Sequence, residues 1–550
     1  MKTKISLIMT GAVSLGSFEA GVLTEVLYAL DYRTRQGTPY ELDVVTGASA
    51  GAMTAALVGH IVMNDFRKRS NLYRAWVELV SIENLLADPP ANALLSADPI
   101  HQIAEECITP PYSIDERASF APDVMRMTLT LSNLNGYDRA IKPLVGAPFV
   151  STFFDDHRTF LLASAAAALD SARSEATWNL VRQFAIASGS FPIAFPPISL
   201  TRNVLDYDDA GLISAFCPLP TYVDGGLFNN QPIGEAVRLS READAESLDQ
   251  PRRYLFVNAS VDNSLFMNQR QMAPILDAPP MLVKRIADVI VNEARASDWI
   301  KALLINDQVV WRDRFVDSLI GLVQNVTVDN APALIDGLTN LDLSILVERK
   351  DHPFGRPGTP ALDDLLASTR AKYKARLDAA PELGPTRRTV LELIFFALDH
   401  IADLDARKRI DLMSIAPQRQ LAGEQLDAFG GFFKKEYREY NFRYGRQVAH
   451  GLLSSPVSLG AYPREQGPEP YQQYEIEPGW VGFPQETLGQ TPRPPREKLR
   501  DLLVARAKAA IPPIKITGST MIDGVVLAIV RYFVGELARL RLDKMLELDK

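Results

Sequence analysis

Residues 44–53 read Val44-Val45-Thr46-Gly47-Ala48-Ser49-Ala50-Gly51-Ala52-Met53. A β-branched apolar run, typical of a buried strand, ends at Gly47, and a run of small residues compatible with a helix begins at Ala52. Ser49 lies at the centre of Gly-x-Ser-x-Gly between the two, the pattern of a nucleophile elbow. Such a turn leaves almost no room for side chains at Gly47 and Gly51. The stretch therefore predicts an exposed serine hydroxyl at the N-terminus of a helix.

Length and composition limit the function classes. The chain has 550 residues, enough for roughly two to four domains with sizeable cores. It is 47% hydrophobic and 23% charged, as in ordinary globular proteins. The net charge of −9 argues against a nucleic-acid partner, because such binding draws on Lys and Arg. A lipid surface stays open as a partner, since a local patch can differ from the total.

The cysteines and the N-terminus indicate no metal site and no export. Cys107 and Cys217 form no Cys-x-x-Cys pattern, so they predict neither a metal site nor a disulfide framework and fit a reducing compartment. We interpret residues 5–9 as a first strand rather than a signal peptide, because no cleavage site follows. No uncharged apolar run reaches about 18 residues. We therefore expect no transmembrane helix and a cytoplasmic protein, with peripheral membrane contact left open.

Strand, turn and helix follow one another twice at the start of the chain. Strand patterns at residues 5–9 and 42–46 precede helical patterns at 18–32 and 52–62. This order predicts right-handed βαβ units, an α/β fold and a parallel sheet. Further strands are predicted over residues 125–132 and 254–257.

The sequence changes character after about residue 275, where long helical patterns replace strand signals. We therefore predict a catalytic domain over residues 1–275 and a helical domain over 276–460. A proline-rich linker or wrapping arm is predicted over 461–495, followed by C-terminal helices over 496–550.

A serine nucleophile needs a base within hydrogen-bond reach. The usual base is a histidine, and of the six histidines only His352, in Lys350-Asp351-His352-Pro353, falls in a loop suited to the role. The alternative is a carboxylate that acts directly on the serine. Asp224 ends an apolar run and opens Gly225-Gly226, whose glycines leave the backbone room to turn. An ordinary strand-end turn would explain the same residues.

Four motifs, taken together and in this order, resemble the patatin-like phospholipases. The resemblance covers roughly residues 1–270. It implies a three-layer α/β/α fold with a mainly parallel sheet, and hydrolysis of lipid acyl esters by a Ser-Asp dyad. The motifs are Gly11-Ala12-Val13-Ser14-Leu15-Gly16 with Ala20-Gly21-Val22-Leu23, Gly47-Ala48-Ser49-Ala50-Gly51, Ala187-Ser188-Gly189-Ser190-Phe191-Pro192 with Phe195-Pro196-Pro197, and Asp224-Gly225-Gly226 with Asn229-Asn230 and Pro232.

The resemblance assigns roles to individual residues. Ser49 is the expected nucleophile and Asp224 the expected base, with no metal or organic cofactor. A turn before a helix offers backbone N–H groups to an oxyanion, and the donors expected here belong to Gly11, Ala12 and Val13. The glycines expected to support the motifs are Gly16, Gly47, Gly51, Gly225 and Gly226.

The first motif departs from the family pattern. The family usually has Gly-Gly-Gly-x-Lys/Arg-Gly, whereas here Ala12 and Val13 replace two glycines and Leu15 replaces the basic residue. Val13 cannot adopt a positive φ cheaply, so we expect an oxyanion hole of different shape. The missing positive charge weakens the case for a strongly anionic headgroup.

The leading hypothesis is a serine lipid acyl hydrolase, similar to phospholipase A or lysophospholipase, that acts on a lipid or acyl ester through an acyl-enzyme. Two alternatives are kept: a weakly active or inactive lipid-binding scaffold, and a Ser-His-Asp esterase that uses His352. Residues 432–438, Phe432-Phe433-Lys434-Lys435-Glu436-Tyr437-Arg438, are expected to form a solvated helix face, with a membrane contact as the alternative. The sequence leaves the oligomeric state open.

Overall fold

The computed structural model describes most of the N-terminal half of the chain and parts of the C-terminal half. The described ranges are 2–109, 116–141, 149–163, 171–192, 194–207, 213–244, 250–259, 362–380, 383–401, 410–423, 428–464 and 492–509, with single positions elsewhere. His352 and most of the predicted segments 461–495 and 496–550 lie outside these ranges.

In the part of the chain that the structure describes, nine strands form one sheet. They are β1 Thr3–Met9, β2 Tyr40–Gly47, β3 Val124–Ile141, β4 Phe149–Ala163, β5 Ile198–Ser199, β6 Ile213–Phe216, β7 Thr221–Val223, β8 Arg252–Val257 and β9 Leu412–Ile415. In space, β3-β2-β1-β8-β9 follow one another with every neighbouring pair parallel. β4, β6 and β7 pair antiparallel with β3, and β5 pairs antiparallel with β7. The predicted α/β fold with a mainly parallel sheet is confirmed.

The helices of ten or more residues are α1 Gly16–Arg35, α2 Ala50–Met63, α3 Asp98–Cys107, α4 Ser171–Ser188, α5 Ile233–Ala243, α6 Leu362–Asp378, α7 Pro385–Ile401, α8 Lys435–Leu453 and α9 Arg493–Ala509. Short helical turns connect them, and those nearest the site are Val13–Leu15, Gly225–Leu227 and Gly430–Phe433. A π-helix, Arg74–Leu79, lies between α2 and α3.

The two faces of the sheet bury different helices because successive side chains of a strand point to opposite faces. Leu7 and Met9 of β1 pack into a large core with α1 and α2. Ile8, between them in sequence, packs on the other face against Leu239 of α5. Helices therefore cover both faces, as the three-layer α/β/α prediction requires.

Helix α1 is buried in this core. Within the described ranges, the stretch Val13–Arg35 is the one helix long and apolar enough to cross a membrane, and 89% of its most apolar window is buried inside the protein. A core helix has the same composition, because it too is apolar on all sides. The segment does not form an uncharged apolar run in the sequence, because Glu19 and Glu25 interrupt it.

Residues 410–423 and 428–464 return to the first domain. β9 pairs in parallel with β8 from Tyr254 and Leu412 to Val257 and Ile415, and α8 lies against α1. The predicted helical domain 276–460 is therefore wrong at its C-terminal end, where a strand and a helix complete the α/β fold. A strand of four residues carries too short a pattern to be recognised in sequence.

The predicted solvated face at 432–438 is also wrong. Phe432, Phe433, Tyr437 and Arg438 are buried, and within this run only Lys435 and Glu436 are exposed. Charged residues in this run made it resemble a surface helix, whereas its other side packs against the core.

Candidate active site

Ser49 lies on a sharp turn between β2 and α2. Its φ of 53° and ψ of −125° are strained for a residue with a side chain. A Cβ atom on Gly47 would lie 2.4 Å from the carbonyl oxygen of Gly51, and one on Gly51 would lie 2.5 Å from that of Thr10. The turn therefore requires glycine at both flanking positions, and it aims the serine hydroxyl away from the sheet.

The Ser49 hydroxyl donates a hydrogen bond to Asp224, at 2.5 Å from Oγ to Oδ2. Both residues are buried. Asp224 is fixed on all sides, since its Oδ1 accepts from the Gly226 N–H at 2.7 Å and its carbonyl oxygen accepts from Ser132 Oγ at 2.7 Å. The structure thus brings together the two residues that the sequence analysis paired across 175 positions.

The loop that carries Asp224 packs tightly beneath the site. A Cβ atom on Gly225 would lie 2.2 Å from the carbonyl oxygen of Thr130. One on Gly226 would lie 2.4 Å from Asn230 Oδ1. Both glycines are therefore required by close packing. Gly16 has the same role at the first motif, where a Cβ atom would lie 2.5 Å from the ring of Trp76.

The turn after β1 differs from the expected oxyanion hole. The Gly11 N–H donates to Asn230 Oδ1 at 3.1 Å, so this predicted donor is already engaged. Val13 adopts a φ of 50°, a conformation that is costly for a β-branched residue. Among the described residues, neither the Ala12 N–H nor the Val13 N–H donates a hydrogen bond to a backbone acceptor. These two groups are the donors left for an oxyanion.

Asn230 and Ser188 are the site residues that sequence reasoning missed. Asn230 is buried and holds the turn after β1 beside the loop of Asp224. Ser188 Oγ accepts from the Ser49 N–H at 2.9 Å and so supports the elbow. Both fall within quoted motifs, but their contacts depend on how distant strands pair.

A pocket of about 810 Å³, its open mouth included, lies beside Ser49. Its lining is apolar apart from Ser49 and Arg182. The Arg182 guanidinium donates from Nη1 to the Ile108 carbonyl oxygen at 2.7 Å and from Nη2 to Glu175 at 3.1 Å, so both terminal nitrogens have partners outside the pocket. The pocket suits a hydrocarbon chain. Its larger apolar residues include Met53, Leu57, Trp76, Val80, Ile103, Ile108, Ile186, Phe191, Phe195, Phe429 and Phe432.

Glu19 is a fully buried acid beneath the turn after β1. Burial raises the pKa of its carboxyl well above the ordinary 4.5, and the hydrogen bond from Thr10 Oγ1, at 3.4 Å, lowers it only in part. The other oxygen, Oε2, has no partner among the described residues. Glu19 is therefore protonated at pH values where an exposed glutamate is ionised.

The Glu19→Gln variant should raise Tm near pH 8 and change it little near pH 5. A raised pKa in the folded state means that unfolding releases a proton once the pH exceeds 4.5, so wild-type stability falls as pH rises. Glutamine keeps the acceptor for Thr10 and removes this linkage. Thermal unfolding at several pH values across about pH 5–8 measures this pH dependence of Tm. Glu105→Gln, on an exposed position of α3, is the control, and the same profile in both variants would contradict the assignment.

Other candidate groups do not join the site. His60 is buried, its Nε2 lies 3.2 Å from the Thr109 carbonyl oxygen, and burial lowers its pKa to about 4. No described histidine is a hydrogen-bond partner of Ser49. Groups of three or more His, Cys, Asp or Glu that could hold a metal ion are not found in the described ranges.

A serine on a sharp turn between a parallel strand and a helix, beside an apolar pocket, is the arrangement typical of the nucleophile elbow in α/β hydrolases. Residues 7–237 match the family model of the patatin-like phospholipases. This part of the chain is therefore a patatin-like phospholipase domain, of a family of lipid acyl hydrolases.

The chain is also similar to a curated protein whose name states no activity. The uncharacterized protein y4iI of Sinorhizobium fredii (strain NBRC 101917 / NGR234) is 26% identical over 366 residues. The match covers 51% of this chain and 50% of that protein. The chain thus spans about half the length of the curated relative it matches. The similarity extends beyond the family domain, since it is longer than residues 7–237.

Proposed function

We propose that the chain is a serine lipid acyl hydrolase, similar to phospholipase A or lysophospholipase, that uses Ser49 and Asp224 as a catalytic dyad. The observation that carries the proposal is the Ser49–Asp224 hydrogen bond beside an apolar pocket. The patatin-like domain supports a lipid acyl ester as the substrate class.

In the acylation step, Asp224 Oδ2 accepts the Ser49 proton while Oγ attacks the ester carbonyl carbon. The oxyanion of the tetrahedral intermediate accepts hydrogen bonds from the Ala12 and Val13 N–H groups. When the intermediate collapses, the bond to the alcohol oxygen breaks and Asp224 returns the proton to that oxygen. The products are an acyl-Ser49 and a free alcohol.

Deacylation repeats these steps with water. Asp224 takes a proton from a water molecule, which attacks the acyl carbonyl carbon of acyl-Ser49. The bond to Ser49 Oγ then breaks, and Asp224 returns the proton to that oxygen. The dyad is regenerated and a fatty acid leaves the pocket.

The surroundings of the dyad favour a particular kind of substrate. The acyl chain enters the apolar pocket, and the alcohol part stays outside it. Leu15, which stands where the family usually has a basic residue, is buried and uncharged. A strongly anionic headgroup therefore finds no counter-charge there, and a neutral or zwitterionic lipid fits better. A lipid substrate also implies peripheral contact with a lipid surface during turnover.

Labelling by a fluorophosphonate probe should place one adduct on the peptide that contains Ser49. The probe reacts with serines activated by a base, and the elbow exposes this hydroxyl to the pocket. Mass mapping after proteolysis, together with hydrolysis of medium-chain acyl esters, measures the outcome. Heat-denatured protein is the control. Ester hydrolysis with the adduct on another serine would contradict the proposal.

A second candidate function is lipid binding without turnover. The strained φ of Val13 in the altered first motif favours it, because a displaced donor weakens the oxyanion hole. This candidate predicts fatty-acid or liposome binding without an adduct on Ser49.

A triad esterase instead predicts that His352→Ala abolishes hydrolysis.

A further inference from the structure

Part of the acyl pocket is built by a segment distant in sequence from the elbow. Phe429 and Phe432 line the pocket together with Phe191 and Phe195. The ring centroid of Phe429 lies 5.8 Å from that of Phe191, 6.5 Å from that of Phe195 and 6.0 Å from that of Phe432. We call these four residues the aromatic wall. Phe429 is in contact range of all the other three rings.

Ser14 ties this wall to the turn after β1. Its N–H donates to the Ala428 carbonyl oxygen at 3.2 Å, and its Oγ donates to the same oxygen. Its Oγ also accepts from the Gly431 N–H at 3.1 Å. A Cβ atom on Gly431 would lie 2.5 Å from Ser14 Oγ, so this approach requires glycine. Since Ser14 follows Val13 directly, these hydrogen bonds connect the wall to the backbone of the proposed oxyanion donors.

Arg438 holds the aromatic wall through hydrogen bonds to its backbone. Its guanidinium is buried and donates to the carbonyl oxygens of Val77, Gly431 and Phe432, at 3.0–3.2 Å. Val77 belongs to the π-helix Arg74–Leu79, whose Trp76 also lines the pocket. Burial lowers the Arg438 pKa to about 10, which leaves the guanidinium charged at neutral pH. One cation thus joins two walls of the same pocket through their backbones.

The backbone is strained at Ala428, the residue directly before Phe429. Ala428 adopts a φ of 70°, in the left-handed region that favours glycine. Such a conformation is costly for a residue with a side chain and persists where surrounding contacts hold it. Here Ser14 holds the Ala428 carbonyl oxygen, and the Phe429 ring enters the pocket next along the chain.

We propose that residues 428–432 are the specificity element of the acyl pocket, in which Phe429 limits the acyl chain that is accepted, and Ser14 and Arg438 are positioning residues. The proposal rests on the proposed function for its substrate. The family model ends at residue 237, so this element comes from a part of the chain outside the family domain.

Phe429→Ala should change which acyl chains are accepted. Removal of the ring enlarges the pocket, so the ratio of kcat/KM for palmitate over butyrate esters should rise by about tenfold or more. Phe433→Ala is the matched control, because Phe433 is buried in the same turn but does not line this pocket. The control should lower Tm and leave the ratio unchanged. An unchanged ratio in Phe429→Ala, or the same shift in both variants, would overturn the proposal.

Ser14→Ala tests the positioning role. Loss of the bonds to Ala428 and Gly431 loosens the turn that carries the oxyanion donors, so kcat should fall about tenfold on every chain length. The palmitate-to-butyrate ratio should rise as in Phe429→Ala but by less, because Ser14 also holds the Ala428 carbonyl oxygen next to Phe429. The kcat is expressed per active site titrated with a fluorophosphonate, which removes the contribution of unfolded protein. A fall in titratable sites with normal kcat per site would show a merely structural role.

Fatty-acid binding separates this proposal from the catalytic one. The Ser49→Ala protein cannot form an acyl-enzyme, yet its pocket is intact. In that background, Phe429→Ala should shift binding from shorter toward longer fatty acids, measured by calorimetry with butyrate, octanoate and palmitate. If wild type hydrolyses no ester but this shift appears, the catalytic proposal fails and the specificity element stands. If esters are hydrolysed and no shift appears, the specificity element fails alone.

Discussion

Ser49→Ala and Asp224→Asn should each lower kcat/KM for medium-chain acyl esters by about 10²–10⁴-fold. Alanine removes the nucleophilic oxygen. Asparagine keeps the size of the side chain and an oxygen that accepts the Gly226 N–H, but it no longer accepts the Ser49 proton. The two variants therefore remove different halves of one step. Initial rates over a range of ester concentrations provide the measurement.

The double variant adds a sharper criterion. Residues that act as one unit have non-additive effects, so Ser49→Ala with Asp224→Asn should be about as slow as Ser49→Ala alone. Ser199→Ala is the control, because its hydroxyl pairs with Thr221 on exposed strands away from the pocket. Its activity and Tm should match wild type. Full activity in either dyad variant would remove the assignment of that residue.

The sequence predicts the part of the fold that depends on local patterns. β1, α1, β2 and α2 were all anticipated, because apolar runs of strand and helix period alternate with glycine turns. The resemblance to the patatin-like phospholipases implies the pairing of Ser49 with Asp224, and its motifs contain glycines that the backbone geometry requires. Where the order of local elements determines the structure, sequence reasoning therefore succeeds.

The remainder of the site depends on contacts between distant segments. The Asn230 side chain reaches Gly11 because the Asp224 loop and the end of β1 lie side by side in the fold. The local sequence of neither stretch indicates this contact. The φ of Val13 was judged costly from sequence, yet the structure adopts it. The buried position of Arg438 could not be predicted from the sequence, for another reason. A buried arginine usually implies a carboxylate partner, whereas the oxygens that its guanidinium contacts here are backbone carbonyls.

Gly445→Ala should destabilise the protein by about 1–3 kcal/mol or more. Helix α8 approaches α1 so closely at this point that a Cβ atom on Gly445 would lie 2.2 Å from the Phe18 carbonyl oxygen. On α1, a Cβ atom on Gly21 would lie 2.0 Å from the Phe442 carbonyl oxygen. Backbone atoms cannot rotate away as a side chain does, so the two helices must separate.

Gly451→Ala, on the same helix, should instead stabilise the protein by about 1 kcal/mol, because alanine is the better helix former. No atom of the described residues lies within 4 Å of a Cβ atom at Gly451. Urea unfolding of both variants under one condition compares them, and the two shifts should have opposite signs. If both variants are stabilised, α8 does not pack on α1. Arg438 would then lose its fixed position on α8, and the aromatic wall would lose the anchor that holds Phe429 in the pocket.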